Sequence, residues 1–366
     1  MTQIPFLVDV DSTPLAAPDD SIRLLAARWA ALLDEQPKLR IRNAAALLEV
    51  SEAALLCTRI GRGVQRITGP FPRLVEALGG LGEVMALTRN ESAVLEKDGA
   101  YTGVEVGDVM GVVVGPDIDL RLFFRHWQHG FAVEEATKEG QAPRRSLQFF
   151  DADGVAIHKV YATDTTDMRA WDTLITRFLA DDQSPGFVER PVDPPPATVS
   201  DAEVDVDAFQ RDWLALTDTH HFFGLLRKHR VGRQQALRLA PAGMAERMTV
   251  ETPRRLLESA AQSGLPIMIF VGSPGCIEIH TGPVRRVVVM GPWLNILDPG
   301  TQLHLREDRV AEVWLVRKPT DDGIVTSIEL FDAEGCAIAY FFGERKPGKP
   351  ELEGWRVLTQ ELLTQG

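Results

Sequence analysis

The chain contains an internal sequence repeat, and this repeat limits its fold more than any other feature. The segment 146–157, SLQFFDADGVAI, matches the segment 327–338, SIELFDAEGCAI, without a gap. Upstream, Leu120 and Leu122 match Leu303 and Leu305 at nearly the same offset. With 366 residues the chain is long enough for two domains of ordinary size. The sequence therefore predicts a tandem duplication.

Each copy shows the same order of patterns, in which helices precede strands. In the first copy a helical pattern that starts at Ser21 gives way, from about Glu83 to Ala162, to short runs rich in β-branched and aromatic residues. The connections between these runs are too short for the crossovers that parallel neighbours need, so the strands are expected to be antiparallel. A helix follows, with an apolar stripe of Met168, Trp171, Ile175 and Phe178.

The second copy repeats this order. Helices are expected from about Ala208 to Gly264, strands from Ile267 to Phe342, and a last helix around Trp355 to Leu363. The predicted fold class is α+β, a tandem structural repeat in which each copy is a helical segment followed by a large antiparallel sheet.

Composition places the domain boundaries. Residues 1–20 are rich in Pro, Asp and Ser and predict a flexible tail, and residues 21–180 form the N-terminal repeat. Residues 181–205 carry five prolines with little apolar periodicity, as expected of a linker, and residues 206–366 form the C-terminal repeat.

The overall composition is that of a soluble globular protein. Apolar residues make up 45% of the chain and charged residues 25%, and no run approaches the roughly 18 apolar residues of a membrane span. The N-terminal residues lack the pattern of a secretory signal, which predicts a cytoplasmic protein without stable membrane insertion. A net charge of -13 argues against nucleic acid as a partner. The three cysteines, Cys57, Cys276 and Cys336, are expected to be reduced thiols.

Two adjacent histidines, His220 and His221, stand out in the second copy. Phe209, Trp213, Leu216, His220 and Phe223 have helical spacing, so one continuous helix would direct His220 toward buried surface. The ordinary interpretation is a core imidazole that bonds to a carbonyl or a carboxylate.

An alignment of the two copies favours a functional role instead. If Trp29 is matched with Trp213 and Arg42 with Arg233, seven residues separate Asp34 from Arg42 and fourteen separate Asp218 from Arg233. The second copy would then carry an insertion that contains both histidines. Core packing explains such an insertion poorly, because the first copy folds without it.

Several motifs carry a resemblance to a known family. They are TDTHHFFGLL at 217–226, RQQA at 233–236, MALTRNE at 85–91, VYATDTTDM at 160–168, WLNI at 293–296 and RKPT at 317–320. In this order they resemble the cytoplasmic haem-transport and haem-degrading proteins of Gram-negative bacteria, the HemS/ChuS type. The resemblance spans nearly the whole chain after the first two dozen residues. It implies a haem cleft between the copies.

The resemblance also implies roles for single residues. His220 would be the axial ligand of the haem iron, with His221 as the fallback. Arg121 would reach the opposite, distal face of the haem, and the repeat places His304 at the equivalent position of the second copy.

Arg233 and Lys318 would contact the propionates or frame the pocket, and Arg345 matches a further haem-binding arginine of the family. The tyrosine that the family has three residues before the last arginine is Phe342 here, and Tyr340 lies nearby as a replacement.

The residue chemistry is compatible with haem. Haem iron takes a nitrogen, sulfur or phenolate ligand, the porphyrin requires apolar walls, and the propionates require cations. Side chains of adjacent helical residues point about 100° apart, so His220 and His221 would not share one ion, and a single axial imidazole fits better than zinc. The sequence has no CxxCH motif, so haem b would be held without covalent bonds.

The sequence therefore predicts a cytosolic haem-binding protein that accepts imported haem and delivers it or degrades it to release iron. The expected partners are haem, an inner-membrane haem importer, and a haem oxygenase or a reductase. Degradation would need electrons from outside, because no flavin or nicotinamide motif is present. The alternative is a haem-independent structural or interaction protein built from a duplicated domain.

Overall fold

The computed structural model describes residues 19–137, 141–187, 198–345 and 348–364. Almost all of the predicted tail, and the proline-rich part of the predicted linker at 188–197, lie outside the described residues. The chain forms two compact units. The first lies within Met1–Thr88, Lys97–Val192 and Ser273–Glu278, and the second within Arg89–Glu96, Asp193–Gly272 and Ile279–Gly366.

The helices are numbered in chain order. They are α1 (Asp20–Glu35), α2 (Ile41–Leu48), α3 (Glu52–Cys57), α4 (Phe71–Leu78), α5 (Met168–Phe178), α6 (Val206–Leu214), α7 (His221–His229), α8 (Arg233–Arg238), α9 (Thr252–Ser263) and α10 (Glu353–Thr364). Short 3₁₀ turns occur at Gly79–Leu81, Phe124–His126, Asp201–Glu203 and Glu307–Arg309.

The strands are numbered in the same way. Those in the first half of the chain are β1 (Val64–Ile67), β2 (Glu83–Arg89), β3 (Ala93–Ala100), β4 (Val104–Val106), β5 (Met110–Val114), β6 (Asp119–Phe123), β7 (His129–Glu135), β8 (Arg144–Phe150) and β9 (Ala156–Ala162). Those in the second half are β10 (Ala245–Met248), β11 (Ile267–Gly272), β12 (Cys276–Gly282), β13 (Val287–Met290), β14 (Trp293–Asp298), β15 (Thr301–Arg306), β16 (Glu312–Thr320), β17 (Gly323–Phe331) and β18 (Ala337–Gly343).

The two units repeat one antiparallel strand order. In the first unit the strands run β1-β7-β8-β9-β2, and in the second they run β10-β16-β17-β18-β11. A three-stranded meander, β4-β5-β6 or β13-β14-β15, also occurs in each unit. The predicted fold class, a duplicated α+β fold with antiparallel sheets, is confirmed.

One part of the predicted element order is wrong. The segments expected to be purely helical contain β1 and β10, which pair antiparallel with β7 and β16. Each is a very short strand, so the period-2 alternation that marks a strand has no room to develop.

The predicted insertion in the second copy is also wrong. Among the described residues, Glu49 and Arg230 alone combine a side chain larger than glycine with a left-handed backbone, at φ 57° and 56°. They end α2 and α7, and the offset between them equals the one that relates Ser146 to Ser327. Helices α3 and α8 begin at that same offset, with Glu52 and Arg233. Glu52, not Arg42, is therefore the counterpart of Arg233.

Counted from the matched tryptophans, the second copy is shorter than the first. The stretch from Trp29 to Glu49 is three residues longer than the stretch from Trp213 to Arg230. The difference arises because α1 continues for six residues past Trp29, whereas α6 ends one residue past Trp213. Short helical patterns match at several offsets, which is why the sequence alignment chose the wrong one.

Large aromatic side chains anchor the helices on their sheets. In the first unit the predicted stripe of α5 buries Trp171, Ile175 and Phe178. In the second unit Trp355 of α10 is fully buried among strand residues. Helices α6, α7 and α8 share a separate core with β16 and β17, built around Trp213, Phe222, Trp314 and Phe331. In the part of the chain that is described, no helix combines the length and apolar character that a membrane crossing requires.

Glycines at two equivalent hairpin turns allow the close approach of the start of a helix, α3 in the first unit and α8 in the second. Gly154 and Gly335 both have φ 79°. A Cβ atom on Gly154 would lie 2.3 Å from the hydroxyl oxygen of Ser51, which caps α3 by accepting a hydrogen bond from the Ala54 amide.

We predict that Gly154→Ala lowers the free energy of unfolding by about 2 kcal/mol, because it combines backbone strain with disturbance of a helix cap. The control is Gly224→Ala in α7, where φ is not positive and a Cβ would have nothing described within 4 Å. That change should raise the free energy of unfolding by up to about 1 kcal/mol, because alanine is the better helix former. Denaturant titration of both variants measures the difference, and equal effects would contradict this interpretation.

Candidate functional site

His220 does not lie in one continuous helix, and its side chain is not buried. Helix α6 ends at Leu214, α7 begins at His221, and the His220 side chain is 87% exposed. The predicted stripe that would have buried it is therefore wrong beyond Leu216. The physical reason is Asp218, whose carboxylate accepts a hydrogen bond from the His220 amide at 2.8 Å and so competes with a continuing helix.

The same carboxylate fixes the His220 ring. Nδ1 of His220 lies 2.6 Å from Oδ1 of Asp218. Hydrogen bonds from the backbone N–H and then the ring of His220 hold the pKa of Asp218 below its usual value. With Nδ1 as the donor, a neutral imidazole carries its lone pair on Nε2. Carboxylate–imidazole pairs of this kind orient histidines that bind metals.

An exposed apolar face adjoins His220. The residue has helical dihedral angles at the start of α7, so Phe223 and Gly224, three and four residues on, lie on its side of the helix. Phe223 is 65% exposed, and Gly224 adds no side chain. An exposed phenylalanine beside an oriented imidazole can cover a flat apolar ligand.

Phe222 links this face to a cluster of charges. Its ring is buried and packs edge-on against Trp213, with centroids 4.7 Å apart. The Arg233 guanidinium lies 5.3 Å and the Lys318 ammonium 4.6 Å from the centre of the same ring. Both distances are within the range of cation–π attraction.

The two cations meet on Glu329, a fully buried carboxylate of β17. Arg233 binds it with two parallel hydrogen bonds of 2.8 Å, and Lys318 donates a third of 2.8 Å. The Ser327 hydroxyl adds a fourth at 3.0 Å. The Tyr340 ring lies 4.3 Å from the Arg233 guanidinium. Two cations on one carboxylate leave this cluster with a formal charge of +1.

Burial and charge act in opposite directions on these groups. Burial would raise the pKa of Glu329, but Arg233 and then Lys318 hold it well below its usual value. Burial lowers the pKa of Lys318 to about 8, although Glu329 opposes the shift. Burial would also lower the pKa of Arg233, but Glu329 keeps it above its ordinary value. Burial raises the pKa of Tyr340 to about 12.

The remaining predicted residues have separate partners. Arg121 on β6 forms an ion pair with Asp119, and His304 on β15 bonds through Nδ1 to the Asn295 amide oxygen at 2.6 Å. Arg345 follows β18 and is half-buried, and its charge opposes the rise that burial causes in the pKa of Glu351.

The family tyrosine position and the fallback ligand are also defined. Phe342, where the family has tyrosine, packs against Phe270 at 5.1 Å. The ring that contacts Arg233 belongs instead to Tyr340, two residues earlier on the same strand and thus on the same face. His221, the fallback ligand, is exposed at the first position of α7.

Among the predicted residues, the structure thus brings Arg233 and Lys318 together. Sequence reasoning missed their common partner, Glu329, and the tether of His220, Asp218. One signal for Glu329 was available, because the repeat places Gln148 at the equivalent position and so marks a change from amide to carboxylate.

Comparisons with known proteins agree with this architecture. Residues 49–178 and 230–362 both match the model of the haemin-degrading HemS.ChuX domain. The hemin transport protein HmuS of Yersinia pestis is 39% identical over 335 residues, which are 90% of this chain and 95% of HmuS.

Two solved structures extend the likeness. The haem-binding protein PhuS of Pseudomonas aeruginosa, in its holo form, superposes with a TM-score of 0.90 at 47% identity, over 93% of this chain and 99% of PhuS. ChuS, described as an E. coli haem oxygenase, superposes with a TM-score of 0.83 at 39% identity, over 93% of this chain and 99% of ChuS.

The fold and the two ranges that match one family model define a protein built from two copies of an α+β unit. The chain belongs to the haemin-degrading HemS.ChuX family.

We predict that Arg233→Ala lowers the free energy of unfolding by about 3 kcal/mol, because it leaves a buried carboxylate with one cation. The control is Arg254→Ala, which breaks a similar two-point pair with Glu307 at the surface and should cost less than about 1 kcal/mol. Equal losses in denaturant titrations would mean that the buried cluster does not contribute in this way.

Proposed function

We propose that this protein is a cytoplasmic carrier or processor of haem b, which it holds without covalent bonds through His220. The observation that carries the proposal is the exposed His220 imidazole, tied through Nδ1 to Asp218, with Phe223 on the same face of α7. The names of the relatives support it, since they are described as a hemin transport protein, a haem-binding protein and a haem oxygenase.

The iron would bind to Nε2 of His220. The Asp218 carboxylate fixes the ring orientation and makes the imidazole a better electron donor. The side chain is already exposed, so no core residue has to move before haem binds. Phe223 and the bare surface at Gly224 would lie against the porphyrin, whose faces are apolar.

The propionates would be bound by cations. Arg233 keeps 29% of its side chain exposed and belongs to a cluster with an excess of one positive charge, which suits a carboxylate. Lys318 supports it from a buried position. Arg345 as a haem-binding residue and Arg121 as a cation on the distal face of the haem remain predictions from the family resemblance.

Carriage and degradation are the two forms of this function. A carrier would take haem from an inner-membrane importer and pass it intact to an oxygenase. An enzyme would open the ring with electrons from an external reductase, and in that case bound haem supplies the reactive iron. The chain's own residues would hold the haem and set its orientation in either form.

We predict that His220→Ala shifts the Soret maximum of bound haem and weakens hemin binding by more than about tenfold. Loss of a residue that only orients a metal ligand already costs about that much. Absorbance titration with hemin measures both quantities.

His229→Ala is the matched control. His229 also bonds to a carboxylate, at 2.6 Å from Asp212, but its ring packs on Phe209 and is largely buried. Haem binding by this variant should be normal. If His221→Ala lost the spectrum while His220→Ala kept it, the fallback histidine would be the ligand, and absence of a Soret shift in the wild type would remove the proposal.

Carrier and enzyme differ in what a reductant does to bound haem. If the protein is a carrier, we predict that the Soret band persists when ascorbate and catalase are added. The haem should then pass intact to an added haem oxygenase. An enzyme should lose the band and release iron under the same conditions. Catalase is needed because free peroxide can destroy haem without an active site, and loss of the band only without catalase would argue against enzymatic degradation.

A further inference from the structure

Glu329 is a carboxylate fully removed from water, and such a group is costly to bury. The fold itself does not require it. At the equivalent position the first unit has Gln148, whose amide donates a hydrogen bond of 2.9 Å to Ser146. Ser146 in turn corresponds to Ser327, which bonds to Glu329. The same strand pair is therefore built in the first unit with a neutral side chain.

The surrounding charges differ between the units in the same way. Glu52 of α3 corresponds to Arg233 of α8, and Lys159 corresponds to Tyr340. In the first unit Glu52 and Lys159 form a buried ion pair with each other, so the cation there is matched by an anion. In the second unit one anion holds two cations. The excess positive charge is thus specific to the unit that carries His220.

We propose that Glu329 is a positioning residue that holds Arg233 and Lys318 side by side, so that the cluster can bind a carboxylate of the ligand. The assignment rests on the proposed function, in which that carboxylate is a haem propionate. Arg233 presents the exposed edge of the cluster, and Lys318 adds its charge from beneath.

The geometry ties the charge of Lys318 to Glu329. The charged and titratable groups that face Lys318 are Glu329 from β17 and Arg233 from α8, and both of these act on Tyr340 of β18. Burial and Arg233 lower the pKa of Lys318 to about 8, and Glu329 is the group that opposes them. Without Glu329 the pKa of Lys318 falls further, which favours the neutral form of the lysine.

The test compares wild type and Glu329→Gln in hemin titrations at pH 7.5 and pH 6. At pH 7.5 the variant should bind hemin about tenfold more weakly, because the Arg233 guanidinium loses the carboxylate that holds it in place. A lower pH favours the charged form of Lys318, so the ratio of the two affinities should be smaller at pH 6 than at pH 7.5. Because both proteins contain His220, the ratio cancels any change in the protonation of the iron ligand.

Two controls separate positioning from damage to the fold. Hemin dimethyl ester lacks the carboxylates, so wild type and Glu329→Gln should bind it equally. Glu52→Gln breaks a buried ion pair in the first unit and should leave the pH dependence of hemin binding as in wild type.

A further variant covers the case in which Glu329→Gln folds poorly. The double variant Lys318→Met with Glu329→Gln removes both charges and should bind hemin weakly at both pH values, with no recovery at pH 6.

The role of Glu329 would be overturned by a ratio that does not change with pH, or by weakened binding of the ester. A wild-type protein that fails to bind hemin would instead refute the proposed function, so the two failures are distinguishable.

Discussion

A carboxylate fully removed from water can remain ionised only if cations are held against it, and this requirement organises the second unit around Glu329. Arg233 reaches it from α8 and Lys318 from β16, so one charged group on β17 joins a helix to two strands. Phe222 packs against both cations and thereby fixes α7. His220 stands at the start of that helix, so its position depends on the same cluster.

The first unit shows which of these features belong to the fold and which were added to it. Both copies end their second helix at a left-handed residue, Glu49 or Arg230, and both begin the next helix three residues later. Both carry a serine two residues before the central strand position, where Gln148 stands in one copy and Glu329 in the other. The backbone was retained while the polar side chains changed, as expected when function resides in a site grafted on a fold.

Much of the fold could be predicted from the sequence, because repeated and periodic patterns report on backbone structure. The duplication, the antiparallel strands and the buried stripe of α5 followed from spacing alone. The short strand β1 and its counterpart β10 did not, because they have too few residues to show alternation. His220 was expected to be buried because its spacing continues that of α6, but the Asp218 carboxylate ends the helical run. Arg233 is far from Glu329 in the sequence and Lys318 is closer, yet both contact it in the fold. No local sequence pattern reports such contacts.

The central claim is that His220 binds iron while the Glu329 cluster receives a carboxylate of the same ligand. A crystal structure of the protein with hemin tests both parts at once. The account predicts a bond from iron to Nε2 of His220, with Nδ1 still on Asp218, and a propionate oxygen within hydrogen-bond distance of Arg233. Iron bound to another side chain, or propionates directed away from Arg233, would contradict it.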